Sequence, residues 1–300
     1  MNELRVEMKK TVIFGSGMMG TMISRSLGAE FQVISFADGN PGKWGTSVRN
    51  IPVLPLEEAL RGKPDCVCLG VLDAERERQM EDSLARSGFQ GEILFPGNFL
   101  TFDPRMATMR LWAEKLNGED GVSEAVEGDC AELGVFRGDF AVQINSAFPD
   151  RTLHLFDTFE GFSPKDVGTE KDRGFSLAKE GDFGDVNQQA VYDRMPYPDR
   201  VLMYRGYFPD TFSSFLPGGI HENTKFVFVS LDVDLYEPTK KGLLCFWPRM
   251  AEGGVIMVHD YNSKQFQGVI EAVTEFCREV HVSAIPVCDL HGSVILRKER

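Results

Sequence analysis

Hydrophobic positions in this chain form short runs that alternate with longer amphipathic or charged segments. The runs are rich in β-branched and aromatic residues, which is typical of buried parallel strands. Strands that alternate with helices predict an α/β fold with parallel sheets. The predicted strands are Thr11–Phe14, Phe31–Ala37, Asp65–Val71, Glu92–Phe95, Asp129–Val135, Thr152–Phe156, Arg200–Tyr204, Lys225–Leu231, Gly254–His259, His281–Val287 and Ser293–Arg297. The predicted helices are one that ends at Leu27, then Leu56–Leu60, Ala74–Ser87 and Met106–Leu116.

The alternation of strands and helices stops and then restarts, which predicts two consecutive Rossmann-like units. Few strand signals occur between about residues 98 and 127, and the pattern resumes at Asp129. We therefore expect one domain over residues 1–104 and a second over residues 105–300. The turn Asp289–Gly292 separates the last two predicted strands, so the second sheet is expected to end in an antiparallel hairpin.

Composition argues against several classes of binding partner and cellular location. The 300 residues carry a net charge of −13, which argues against a general binder of nucleic acid or of anionic membranes. No apolar run is long enough to cross a bilayer, and the N-terminus lacks a signal-peptide pattern. The six cysteines have neither zinc-knuckle nor redox spacing. We expect buried thiols in a cytoplasmic protein.

Acidic residues follow two predicted strands of the second unit. Asp232 directly follows the predicted strand Lys225–Leu231, in the sequence Leu-Asp-Val-Asp-Leu-Tyr. His259 and Asp260 stand at the end of the predicted strand Gly254–His259. The carboxyl ends of neighbouring strands share the edge at which open α/β sheets bind ligands. Asp232, His259 and Asp260 are therefore predicted to converge on one divalent cation.

A glycine-rich turn follows the first strand of the first unit. Gly15, Gly17 and Gly20 have the spacing that permits a tight turn and lets a phosphate approach a helix N-terminus. Asp38 ends the second strand, where a carboxylate can hold ribose hydroxyls. The pattern predicts a nucleotide site, and the alternative is that the glycines serve only helix–strand packing.

A second glycine-bearing turn opens the second unit. Glu132, Gly134 and Gly138 follow its first strand, and Asp157 ends the next strand. An acidic residue and glycines suit S-adenosylmethionine (SAM), whose amino group needs an anion and whose ribose needs close backbone approach. Either site alone is also compatible with a generic turn and an Asx cap. Together, at this spacing, they predict SAM binding.

Five motifs in order carry a family resemblance. They are Glu132–Gly138, Phe156–Phe162, Arg205–Thr211, Leu231–Tyr236 and His259–Tyr261. Over residues 105–300 the chain resembles the macrocin O-methyltransferase (TylF/MycF-type) family. The resemblance implies a class I SAM-dependent methyltransferase fold, a bound magnesium ion and methylation of sugar hydroxyls. Residues 9–96 more loosely resemble the nucleotide-sugar-binding domain of PglD-type acetyltransferases, without the β-helix that transfers acetyl groups.

The resemblance also implies roles for single residues. Glu132, Gly134 and Gly138 would line the methionine and ribose end of SAM, with Asp157 at the ribose. The residues implied near the adenine are Gly206, Tyr207 and Phe208. Asp232 and Asp260 would be metal ligands, and Asp232 is also a candidate general base.

His259 departs from the family pattern, which has a second aspartate at this position. Three interpretations remain open. The imidazole is a metal ligand that shifts preference towards Mn, Fe or Zn, or a general base poised near neutral pH, or a structural side chain that hydrogen-bonds to backbone.

The segment Ser163–Asp199 is long, charged and glycine-containing. Loops of this length in compact domains are usually functional, so we expect a lid with a helix near Val186–Met195. The alternative is a disordered surface insertion.

The leading hypothesis from the sequence is a SAM-dependent, metal-assisted O-methyltransferase that acts on a sugar-containing small molecule. The alternative is a non-catalytic or regulatory protein that binds nucleotide or SAM. An NAD-dependent oxidoreductase is disfavoured, because no acid–base partner follows the first glycine turn within residues 1–100. The resemblance also suggests a homo-oligomer.

Overall fold

The computed structural model describes residues 8–71, 74–95, 103–184, 186–213, 219–287, 289 and 292–299. The chain divides into two compact units, the first ending at Glu114 and the second beginning at Lys115. This division falls inside the helix Pro104–Leu116, after the predicted boundary between residues 104 and 105, which stays a prediction. Within the described ranges, every helix is too short or too polar to traverse a lipid bilayer.

The elements follow the predicted order. The strands are β1 Lys9–Phe14, β2 Phe31–Ala37, β3 Ser47–Val48, β4 Ile51–Leu54, β5 Cys66–Leu69, β6 Glu92–Leu94, β7 Asp129–Leu133, β8 Leu153–Asp157, β9 Val201–Arg205, β10 Phe226–Leu231, β11 Met250–Val258, β12 Ile285–Pro286 and β13 Val294–Arg297. The α-helices are α1 Met18–Ser26, α2 Leu56–Arg61, α3 Ala74–Ser87, α4 Pro104–Leu116, α5 Asp139–Ala147, α6 Pro164–Arg173, α7 Gln188–Tyr192, α8 Tyr236–Phe246 and α9 Gln267–Val280.

The first unit contains a six-stranded sheet in the order β3-β4-β2-β1-β5-β6. All its pairs are parallel except β3 with β4. Alternate side chains of β1 enter two separate apolar clusters, with Ile13 in one and Val12 and Phe14 in the other. Both faces of the sheet are therefore covered, which explains why its strands read as continuous apolar runs.

The second unit contains a seven-stranded sheet in the order β12-β13-β11-β10-β7-β8-β9. Its strands pair in parallel except β13, which is antiparallel to β11 and β12. The predicted terminal hairpin is therefore present. Strand order reverses between β7 and β10, and such a switch point opens a crevice at the carboxyl ends of the strands.

Two elements differ from prediction. The predicted strand His281–Val287 shortens to the exposed pair Ile285–Pro286, because α9 extends to Val280 and His281 caps it in the left-handed conformation, with φ 57°. The predicted lid contains α6, an additional helix in its first half. Ser163 caps α6 by accepting a hydrogen bond from the Asp166 amide, and Gly174 ends it in the left-handed conformation.

Candidate functional site at the carboxyl edge of the second sheet

The loops after β7 and β10 pack directly against each other. Gly134 has φ +86°, and a Cβ built there would lie 2.0 Å from the carbonyl oxygen of Asp232. The Asp232 amide donates to the carbonyl oxygen of Leu133 at 2.9 Å. Only glycine permits this approach. The predicted cofactor loop and the predicted metal loop therefore meet at one edge.

Asp157, at the end of β8, orients the loop after β7. Its Oδ2 accepts hydrogen bonds from the amides of Val135 at 2.7 Å and Phe136 at 2.8 Å. Its Oδ1 accepts from the amide of Phe159 at 2.7 Å. Since a carboxylate has about four acceptor positions, roughly one remains for a ribose hydroxyl. Glu132 is buried on the neighbouring strand.

Backbone strain is concentrated at the same edge. Four residues other than glycine adopt positive φ in the loops after β7, β8, β10 and β11: Phe136 at 47°, Phe159 at 56°, Asp234 at 60° and Asp260 at 55°. Such conformations are costly for side chains with a Cβ and cluster at functional sites. The strain supports a ligand-binding role for this edge rather than for the opposite one.

Asp232, His259 and Asp260 form one cluster, as the sequence predicts. The Nδ1 atom of His259 lies 2.9 Å from Oδ1 of Asp232 and 2.7 Å from Oδ2 of Asp260. All three side chains are largely buried, with 24%, 12% and 10% of their surfaces exposed, respectively. One imidazole nitrogen thus faces two carboxylates from separate strand ends.

This donor set fits a divalent cation. One ligand atom from each of the three residues lies within 4.8 Å of the others. Burial raises the pKa of Asp260, but hydrogen bonds with His259 and Asp234 and the charge of His259 outweigh burial and lower it below its ordinary value. Asp232 and Asp260 bring two carboxylates to one point, and carboxylate oxygens are suitable ligands for a hard divalent cation. A mixed oxygen and nitrogen donor set suits Mn, Fe or Zn as well as Mg.

The implied adenine residues separate into two environments. Gly206 and Tyr207 line a cleft of about 540 Å³ at the ends of β8 and β9, together with Thr158 and Ser163. That volume is within the range of small-molecule sites. The ring of Phe208 instead lies in the core, stacked on Phe246 with 5.8 Å between centroids.

The second half of the insertion covers the loop after β7. A Cβ built on Gly138, which has φ +79°, would lie 2.6 Å from Cγ1 of Val191 on α7. Arg194 donates to the carbonyl oxygen of Arg137 at 2.6 Å and to Oδ1 of Asp139 at 2.7 Å. These residues of the insertion therefore pack on the predicted cofactor loop.

In the first unit, the three predicted glycines differ in what surrounds them. A Cβ on Gly20 would lie 1.8 Å from the carbonyl oxygen of Gly15, so helix–strand packing requires glycine there. A Cβ on Gly17 would meet nothing within 4 Å. Packing therefore explains glycine at position 20 but not at position 17, where open space is compatible with a bound nucleotide.

Asp38 lies beside this turn and is already hydrogen-bonded. Its Oδ2 accepts from the amide of Ser16 at 2.9 Å, from the Ser16 hydroxyl at 2.5 Å and from Nζ of Lys43 at 2.9 Å. Its Oδ1 accepts from the amide of Asn40 at 2.9 Å. Burial raises the pKa of Asp38, but these hydrogen bonds outweigh it and lower the pKa to about 2.

The sequence profile of the macrocin-O-methyltransferase (TylF) family matches residues 101–296. The chain belongs to this family. It is 29% identical over 157 residues to demethyldecarbamoylnovobiocin O-methyltransferase of Streptomyces niveus, covering 48% of this chain and 56% of that enzyme. It is also 29% identical over 155 residues, with the same coverages, to 8-demethyl-8-(2,3-dimethoxy-alpha-L-rhamnosyl)-tetracenomycin-C 4'-O-methyltransferase of Streptomyces olivaceus.

The TylF-family chain thus spans little more than half the length of these two relatives. The solved structure of the O-methyltransferase NovP has a TM-score of 0.53 and 23% identity, covering 66% of this chain and 80% of that one. This likeness shows the methyltransferase-like fold of the second unit.

The sequence analysis did not identify three polar residues that the structure buries fully or in part. They are Asp166 and Glu170 on α6 and Lys241 on α8. A signal for them existed. Ser163 followed by Pro164 and an acidic residue is typical of a helix start, and the two carboxylates are four residues apart, on one helix face.

Proposed function

We propose that the protein is a SAM-dependent O-methyltransferase that modifies a hydroxyl of a sugar-containing small molecule. The observation that carries this proposal is the packing of the glycine-bearing loop after β7 against the Asp232–His259–Asp260 cluster. The name of one relative, which acts on a rhamnosyl-tetracenomycin, supports a glycosylated acceptor.

We assign the following roles to the residues of the site. Bound SAM supplies an activated methyl group, and a divalent cation held by Asp232, His259 and Asp260 would acidify and orient a sugar hydroxyl. Glu132 offers a buried anion to the cofactor's amino group, and Asp157 offers its remaining acceptor position to the ribose. Since displacement needs an aligned oxygen, positioning by the protein is the main requirement.

The proton of the acceptor hydroxyl needs a base at the cluster. Asp232 and His259 both face the same point, with 2.9 Å between Oδ1 and Nδ1. We assign proton acceptance to Asp232 or His259. An aspartate can act in this way only if the hydroxyl has already been acidified, because its own pKa is ordinarily near 4.

The first test is calorimetric titration of SAM into metal-free protein, repeated with Mg²⁺ and with Mn²⁺. We expect binding near micromolar, about −8 kcal/mol. A panel of glycosides and nucleotide sugars then tests methyl transfer. Failure to bind SAM under every condition would refute the assignment. SAM binding without transfer to any acceptor would favour the regulatory alternative.

Asp232→Ala tests the role of the cluster. We expect turnover to fall by about a hundredfold or more, because alignment and proton transfer are both lost. SAM affinity should change little, since the contacts proposed for SAM are those of Glu132, Gly134, Gly138 and Asp157. Asp199→Ala on the insertion is the control. Equal loss of turnover in both variants would contradict the proposed role.

A nucleotide-binding role for the first unit is a separate proposal. Open space beside Gly17 and the polar cluster of Ser16, Asp38 and Lys43 support it. Because the Asp38 carboxylate already accepts hydrogen bonds from Ser16 and Lys43, ribose hydroxyls must displace one of these donors. Self-association likewise remains a prediction.

A further inference from the structure

Two buried carboxylates lie on one face of α6. Asp166 and Glu170 are one helical turn apart and have only 4% and 0% of their surfaces exposed. Burial of a carboxylate is costly unless it is hydrogen-bonded or paired. Their partners therefore show what α6 contributes to the molecule.

Asp166 holds Tyr207, which lines the cleft at the ends of β8 and β9. Oδ1 of Asp166 accepts a hydrogen bond from the Tyr207 hydroxyl at 2.8 Å. Nζ of Lys241 donates to the same hydroxyl oxygen at 3.0 Å and lies 3.9 Å from Oδ1 of Asp166. Oδ2 of Asp166 accepts from the Ser163 hydroxyl at 2.8 Å. The Tyr207 side chain is thus fixed by a charged partner on each side.

Glu170 holds the other loop of the site. Its Oε1 accepts a hydrogen bond from the amide of Tyr236 at 2.8 Å. Tyr236 begins α8 and ends the loop that carries Asp232. Leu235, at the N-cap of α8, provides no side-chain cap, so Glu170 caps this helix from outside. Its Oε2 has no hydrogen-bond partner among the described residues, so stability alone does not explain a carboxylate here.

We propose that α6 is a positioning element for both halves of the site. Asp166 sets the side chain of Tyr207 at the cofactor cleft, and Glu170 sets the loop between Asp232 and Tyr236. Both are positioning residues that act through another group. The assignment of Asp166 rests on the proposed SAM site, whereas the contact of Glu170 with the Tyr236 amide has its own measurement.

The Asp166 half is tested by SAM affinity in a double-mutant cycle. Asp166→Ala and Tyr207→Phe are each expected to weaken SAM binding about tenfold. The double variant should bind no more weakly than either single variant, because both remove the same contact. Asp166→Asn, which retains an acceptor, should lie between. Asp172→Asn, an exposed position on the same helix, is the matched control and should match the unaltered protein.

The Glu170 half is tested by hydrogen exchange at the Tyr236 amide. Glu170→Ala should speed exchange there about tenfold relative to amides of β10, because the hydrogen bond that protects it is lost. Glu170→Gln retains an acceptor and should restore most of the protection. SAM affinity should stay within about twofold in both variants. The Asp166 variants should instead weaken SAM binding and leave hydrogen exchange at the Tyr236 amide unchanged.

The outcomes separate the two proposals. Absence of SAM binding by the unaltered protein would overturn the proposed function and the Asp166 assignment with it. SAM binding that is equal in Asp166→Ala, Asp166→Asn and the unaltered protein would overturn the Asp166 assignment alone. Unchanged exchange at Tyr236 in Glu170→Ala would overturn the Glu170 assignment. Additive losses in the double variant would show independent roles and would also overturn the coupling of Asp166 to Tyr207.

Discussion

Single residues of the site owe their properties to neighbours from other strands. His259 illustrates this, because its Nδ1 lies within hydrogen-bonding distance of carboxylates from the ends of both β10 and β11. That geometry places the imidazole in the cluster and does not support the interpretation of His259 as a side chain bonded only to backbone. The roles of metal ligand, general base and structural side chain all stay predictions for His259.

Replacement of His259 distinguishes the metal preferences of the cluster. His259→Asp restores the aspartate of the family pattern, and a third hard oxygen donor should strengthen Mg²⁺ binding about tenfold relative to Mn²⁺. Calorimetric titration with each ion measures the ratio. His281→Asp, at an exposed histidine after α9, is the control. An unchanged ratio would mean that His259 is not a ligand.

The carboxylate of Asp38 is expected to make the free energy of unfolding depend on pH in the acid range. Its pKa is lowered to about 2 in the folded state, against an ordinary value of 3.8. The ionised group therefore stabilises the fold at pH above about 4, by about 2 kcal/mol, and this contribution is lost as the pH falls to about 2.

Urea unfolding between about pH 2 and pH 7 measures this term for Asp38. Asp38→Asn should be less stable than the unaltered protein at neutral pH and equal to it at the acid end. Asp82→Asn, exposed on α3, should follow the unaltered curve throughout. A constant difference at all pH values would show that the charge is not responsible.

At the scale of elements, turns and caps decide how closely helices approach strands. Gly20 brings α1 against the end of β1, and Gly134 brings two strand-end loops together. The insertion shows the same principle. The sequence predicts a lid over Ser163–Asp199, and within it Asp166 and Glu170 are the contacts that dock α6.

Alanine at the first glycine turn separates packing from ligand binding. Gly20→Ala should destabilise the first unit by about 2 kcal/mol or more, because its Cβ would overlap the carbonyl of Gly15. Gly17→Ala should leave stability nearly unchanged, since its Cβ meets open space at φ −77°. Unfolding curves and titration with UDP and NAD measure the two effects. Nucleotide affinity that survives in Gly17→Ala would contradict a phosphate contact at this turn.

At the scale of the whole molecule, the first unit contains a group of ion pairs around one buried carboxylate. Glu114 on α4 has a side chain only 4% exposed and accepts two hydrogen bonds from Arg25, at 2.9 and 2.8 Å. Arg49 pairs with the same carboxylate. Arg110 lies nearby, where burial and the charge of Arg49 lower its pKa to about 10. Arg25 and Arg49 therefore share one buried carboxylate.

Removal of Glu114 should destabilise one unit and spare the other. Glu114→Ala removes the carboxylate that accepts from Arg25 and pairs with Arg49, and loss of one partner of a largely buried ion pair costs about 3 kcal/mol or more. Calorimetry should show the transition of the first unit shifted down, while SAM raises the transition of the second unit as before. Glu58→Ala, at an exposed site on α2, is the control. Loss of SAM stabilisation would contradict a role of Glu114 that is confined to the first unit.

Periodicity and strand-end chemistry in the sequence were sufficient for the two α/β units, the terminal hairpin and the convergence of Asp232, His259 and Asp260. These features depend on local pattern and on the rule that parallel strands share their carboxyl edge. The sequence did not reveal α6 or the burial of its carboxylates, nor that Phe208 turns into the core. A side chain's burial depends on residues distant in the chain, such as Tyr207 and Lys241 for Asp166, and pairings of this kind exist only once the fold has formed.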